Sequence, residues 1–126
     1  MVEVSSAEAL WLLEVSTLGR LVHAQRDLTV LRPARHLWEY RRLVIRTPAP
    51  VPAMPETATY HADEIRSVPG TDWTVTVCCP VEVISDRDAA AQYRRTLSGW
   101  SHGPHDTLLR LHPKTVAGFR LARPEA

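Results

Sequence analysis

Apolar residues recur along this chain in short runs, and their period changes from helical to alternating within the first twenty-five residues. Ser5-Ser6-Ala7-Glu8 has the form of a capping box, with Ser5 as N-cap and Glu8 reaching back. Leu10, Trp11, Leu12, Leu13 and Val15 follow, which predicts a short amphipathic helix to about Thr17, closed by Gly19 as a left-handed cap. Residues 20–25 read as a first strand and Arg26-Asp27 as a turn. Residues 28–31 read as a second strand that Pro33 bends or ends. A charged, aromatic turn leads to a third strand over 43–46.

Residues 48–55 carry four prolines and no charge, which forbids a helix there and favours an extended, polyproline-like path. A fourth strand is expected over 58–62, and Pro69-Gly70 is a turn signal. Residues 73–84, rich in valine and threonine, form the strongest strand pattern and are long enough to curve around a barrel. Ser85 or Asp86 caps a helix to Leu97, with Ala89, Ala90, Tyr93 and Leu97 on one face. After a loop, strands over 107–111 and 116–121 flank a turn at Pro113. Helix, several strands, helix and two strands in a small chain predict a mainly β fold, an antiparallel barrel with peripheral helices.

Composition narrows this picture. A chain of 126 residues is expected to be one domain, spanning residues 1–126. A net charge of +1 without a long basic block disfavours nucleic acid as a partner. No apolar run approaches the roughly 20 residues of a membrane span. The N-terminus lacks the pattern of a signal peptide, so a cytoplasmic location is expected. The adjacent Cys78 and Cys79 read as two reduced thiols, one buried and one not, because strand neighbours point to opposite faces. Lys114 is the only lysine among 15 basic residues.

The chemistry concentrates in residues 28–47. Arg46-Thr47 ends the third strand, and a guanidinium fork beside a hydroxyl suits a phosphate. Arg32, Arg35, Arg41 and Arg42 share the same hairpin; they either add to an anion grip or are solvated charges. His102 and His105 are separated by Gly-Pro and lack metal-ligand spacing, so no metal is expected. Trp73 and Trp100 read as core or interface anchors. No catalytic side chain stands out.

Together these segments resemble the pyridoxamine 5'-phosphate oxidase-like FMN-binding split-barrel family, in its small actinobacterial-type subgroup. The resemblance rests on Gly19-Arg20-Leu21-Val22, on residues 28–47 with Arg-Thr at their end, on A-T-Y-H-A-D-E-I over 58–65, and on the strand from Trp73. Trp100, His105-Asp106, Leu109-Arg110-Leu111 and Gly118-Phe119-Arg120-Leu121 complete it. It implies a split β-barrel of antiparallel Greek-key type, and a homodimer with two flavin clefts at the subunit interface. It implies FMN as cofactor and an oxidoreductase activity on a small molecule. Arg46 and Thr47 would grip the phosphate. The Pro33-Ala34-Arg35-His36 segment would lie near the isoalloxazine, and Trp73 and the partner's Trp100 would complete the set. The lysine that usually follows Arg-Thr has no counterpart, since residues 48–57 hold no basic residue. The other reading is therefore a split-barrel dimer without flavin, serving as a ligand-binding or structural protein or as a cofactor-free enzyme.

Overall fold

The computed structural model describes residues 1–65, 72–98 and 105–121; the expected Pro69-Gly70 turn and Trp100 lie outside them. Strands β2 (Leu18–Gln25), β3 (Leu28–Glu39), β4 (Arg42–Thr47), β5 (Thr57–Glu64), β6 (Trp73–Val83) and β7 (Thr107–Leu111) close into a six-stranded antiparallel barrel in the order β6-β5-β2-β3-β4-β7. Closure depends on the length of β6. Its residues Trp73 to Pro80 pair with β5, and Val81 to Val83 turn to pair with β7. β8 (Thr115–Arg120) lines the free side of β6, and a two-residue β1 (Val2–Glu3) extends it. The expected mainly β split barrel with peripheral helices is what the chain forms.

Helix α1 (Ser6–Val15) begins as the sequence predicts, with the Ser5 hydroxyl accepting from the Glu8 N–H at 3.1 Å. The box is only half made, because the Glu8 carboxylate pairs with Arg120 on β8 instead. The helix buries Ala9, Leu12 and Leu13 against the barrel. Helix α2 (Arg87–Thr96) is capped by Asp86, and it covers the outer face of β4 and β7 through Ala90, Leu97, Val44 and Leu108.

Three local readings change. Gly19 does not cap α1, which ends at Ser16; it belongs to β2. Pro33 does not end the second strand, which runs on to Glu39, so the hairpin turn is Tyr40-Arg41. The interior-facing positions of that strand include Arg32 and His36, and those polar residues hid the alternation. Pro33 is tolerated because it stands beyond Arg35, the last β3 residue paired with β4, where no ladder partner needs its missing N–H. The proline segment also contains a single 3₁₀ turn, Val51–Ala53, between extended residues Pro50 and Met54.

The barrel interior holds one polar group that ties the layers together. His36 is 1% exposed. Its Nδ1 lies 2.6 Å from the Tyr60 hydroxyl, and its Nε2 lies 3.0 Å from the Leu13 carbonyl at the end of α1 and 3.1 Å from Ser16 Oγ. A carbonyl only accepts, so Nε2 carries the proton and Tyr60 donates to Nδ1. Burial favours this neutral pair: it lowers the His36 pKa and raises that of Tyr60 well above 10. Tyr60 occupies the space beside Gly19, where a Cβ would overlap the phenol ring and its hydroxyl. Gly19 is therefore required by close approach. Gly19→Ala is expected to destabilise the protein by about 2–4 kcal/mol, from overpacking and displacement of a buried hydroxyl. Urea unfolding measures this, and a loss below roughly 0.5 kcal/mol would refute the packing argument.

Candidate functional site

Strand parity sorts the nominated residues. Along β3 the side chains of Ala34 and His36 enter the core, so only Pro33 and Arg35 of the segment 33–36 face outward. His36 is thus corrected from a ligand neighbour to an interior group. Register sets Pro33 opposite Arg20 on β2, and Arg35 opposite both Leu18 on β2 and Arg46 on β4.

The same rule separates Arg46 from Thr47, which the sequence reading placed side by side. Thr47 is 1% exposed, and its hydroxyl donates to the Pro33 carbonyl at 2.9 Å. It positions Pro33 where the ladder has run out. Arg46 points outward, and its fork holds Asp106 in two bonds of 2.8 and 3.0 Å. Its remaining nitrogen donates to the Leu97 and Arg94 carbonyls at the C-terminal end of α2, at 2.9 and 3.3 Å. A cation there opposes the negative end of the helix dipole. Arg94 also reaches Asp106, with Nε 2.9 Å from Oδ2. The hydrogen bond from Arg46 holds the Asp106 carboxyl below its ordinary value against the opposing effect of burial, with a further lowering by the hydrogen bond from Arg94. Arg32, another candidate for the anion grip, lies on the opposite face of β3 and bonds His23 and Gln25.

Two shallow clefts flank this corner. One, of about 300 Å³, is lined by Leu18, Gly19, Arg20, Pro33 and Asp63. The other, of about 400 Å³, lies between residues 49–52 and residues 105–107. Trp73 is nearly buried in the core and its Nε1–H donates to Glu64 at 3.3 Å; its edge lines a third cleft with Ser16, Leu18 and Asp63.

Sequence reasoning missed a polar cluster on the outer face of β5. His61 Nε2 lies 2.8 Å from Asp63 Oδ2, which also accepts from Arg20 at 3.2 Å. His61 Nδ1 lies 3.2 Å from Thr76 Oγ1. His61 and Asp63 are two apart on one strand and so share a face, a signal present in the sequence. Thr76 and Arg20 join only through the register of β6 and β2. Cys79 is buried and Cys78 exposed, as expected, and burial pushes the Cys79 thiol up to about 12. Among the described residues there is no group of three or more metal-ligating side chains, and no helix is long and apolar enough to cross a membrane.

The Asp106 geometry sets an acid dependence. A carboxyl whose folded pKa is depressed stabilises the fold fully above the ordinary carboxylate range, and this contribution fades as pH falls through the folded value. Asp106→Asn is expected to cost about 1–2 kcal/mol at neutral pH, a figure reduced because the side chain is 35% exposed. The gap between wild type and variant should close in acid, below the ordinary value of 3.8. Denaturant midpoints across pH measure it, and a pH-independent gap would overturn the assignment.

No family model matches the chain. It is 30% identical over 130 residues to an uncharacterised protein of Mycobacterium tuberculosis, covering 96% of this chain and 86% of that one. A solved protein from Corynebacterium glutamicum, provisionally described as a pyridoxamine 5'-phosphate oxidase, superposes with a TM-score of 0.75 at 25% identity, covering 94% and 98% of the two chains. An FAD-binding protein from Mycobacterium smegmatis superposes at 0.76 with 23% identity, covering 98% of this chain and all of that one. An FAD-binding protein from Mesorhizobium loti gives 0.73 at 16%, covering 95% and 97%. With a closed six-stranded split barrel, two peripheral helices and this relationship along nearly its whole length, the chain belongs to the pyridoxamine 5'-phosphate oxidase-like split-barrel family.

Proposed function

We propose that this protein is a flavin-binding oxidoreductase that acts as a homodimer on a small-molecule substrate. The observation that carries the reading is the cross-strand pairing of Arg35 with Arg46 on the outer face of β3 and β4. Like charges directly opposite one another destabilise a ladder. Among the described residues, the single carboxylate of Asp106 pairs with both Arg46 and Arg94, and an anion such as a flavin phosphate would add to that neutralisation. The donor set fits a phosphate without the family's lysine, because arginine forks bind phosphate oxygens in pairs. Arg35 and Arg46 would hold the phosphate, and Pro33, with Leu18 and Arg20 beside it, would wall the ring system. Thr47 would act through Pro33. Bound there, a flavin supplies two-electron redox chemistry, and the protein orients it and excludes water.

The dimer reading rests on the uncovered outer face of β2 and β3. Leu18 and Leu31 are 52% and 59% exposed on it, next to Pro33. The clefts along this face are open and at the small end of ligand sites, as expected of half-sites that a second copy completes. FAD-binding neighbours support a flavin in general; FMN is the finer choice of the sequence resemblance. One observation favours the other reading, a split-barrel dimer without flavin: the Arg46 fork is already saturated by Asp106 and α2.

Titration of the purified protein with FMN and with FAD, followed by flavin fluorescence, separates the two. Binding of one flavin at micromolar concentration or tighter is expected. Arg35→Ala should weaken it by about a decade, the effect of one lost charge-assisted contact. Failure of both flavins to bind would leave the flavin-free reading, and a monomer in sedimentation would remove the shared cleft.

A further inference from the structure

At the other end of the β3–β4 hairpin from Arg46, roughly 16 Å along β4 at the usual strand rise, lies a separate cleft of about 510 Å³. It is lined by Ala7, Leu10, Trp11 and Glu14 of α1, by Trp38 and Arg41 of the hairpin, and by Pro113. Its volume lies within the range of small-molecule sites, and its walls are mainly apolar with few polar groups, as such sites are. Three features go beyond a generic groove. Trp11 is 52% exposed in it, although an indole is among the side chains that gain most from burial. Glu14 and Arg41 bring opposite charges to the same cleft, and neither has a hydrogen-bond or ion-pair partner among the described residues. The two-residue turn Tyr40-Arg41 has φ of 53° and 61°, a conformation suited to Asn-Gly. Two side-chain-bearing residues there are strained, and such strain concentrates at ligand sites.

We propose that this cleft binds a planar, zwitterionic small molecule. Its ring lies against the Trp11 and Trp38 indoles, its anionic group meets Arg41 and its cationic group meets Glu14. The indoles supply stacking surface, and the cation also gains from the faces of the tryptophans. The strained turn is then explained by Arg41, whose guanidinium a glycine would delete.

Three ring-matched probes test this: phenylalanine (zwitterion), 3-phenylpropionate (anion) and phenethylamine (cation). Each is titrated into ¹⁵N-labelled protein, and the indole N–H signals are followed, with Trp11→Phe identifying one of them. Phenylalanine is expected to shift the Trp11 signal saturably and to bind roughly tenfold tighter than either singly charged probe. Arg41→Gly should raise the melting temperature by relieving the turn, yet reduce phenylalanine affinity to that of phenethylamine. Glu14→Gln, an exposed change without consequence for folding, should reduce it to that of 3-phenylpropionate. Equal affinity for the three probes, no saturable shift at millimolar concentration, or wild-type affinity in both charge variants would each overturn the proposal. Flavin binding plays no part in this readout, so its outcome is independent of the function proposed above.

Discussion

The hydrogen bond between His36 and Tyr60 is the constraint from which the placement of the outer face follows. It joins β3 to β5 across the barrel interior, and the other nitrogen of the ring ties β3 to the end of α1. A half-satisfied imidazole in this position would cost free energy comparable to a lost buried hydrogen bond. The strand is therefore held in one register. A slip by one residue would carry His36 outward and bring Pro33 and Arg35 into the core. Arg35 and Arg46 lie on the outer face of the barrel because His36, next to Arg35 on the same strand, must face inward. Gly19 belongs to the same constraint, since its missing side chain is the space that Tyr60 fills.

Much of the architecture was legible because local signals agreed with the global fold. Ser5 and Asp86 accept from the N–H groups three residues on, and the long valine-rich strand closes the barrel. The misreadings fall where one residue answers to two demands. Pro33 looks like a strand end, yet it lies where the ladder to β4 has already stopped. Gly19 looks like a helix cap, yet its smallness serves Tyr60. Glu8 completes a capping box on paper but meets Arg120 from a strand more than a hundred residues later. None of these partners is visible without the register, and a single sequence does not contain the register.

The Arg46-Thr47 pair shows the same limit at the candidate site. Adjacency in sequence suggested two donors for one anion, but a strand sends neighbours to opposite faces. The hydroxyl fixes Pro33 from within, while the guanidinium works outside. The pair remains one device: Thr47 sets where the β3 backbone lies, and Arg46 sets the charge beside it. The Arg20–Asp63–His61–Thr76 cluster was overlooked for the complementary reason, since its members come from three strands and share only a row of the sheet.

Asp106 decides what the arginine corner can do. A carboxylate held by two arginines already satisfies most of the Arg46 fork, so an incoming phosphate competes with an intramolecular anion at high local concentration. An anion that displaces Asp106 must restore two charge-assisted bonds before it gains anything. One that leaves Asp106 in place has Arg35 as its principal donor, together with the charge that Asp106 does not neutralise. The second course would leave the Arg46 bonds intact, including those by which Arg46 caps α2 through Leu97 and Arg94. In the proposed site Arg46 would keep positive potential beside the phosphate while holding Asp106 and α2, and Arg35 would be the principal donor. In the proposed site the missing lysine would be compensated from the neighbouring strand, at a position where the family's segment between Pro33 and His36 would otherwise carry no charge.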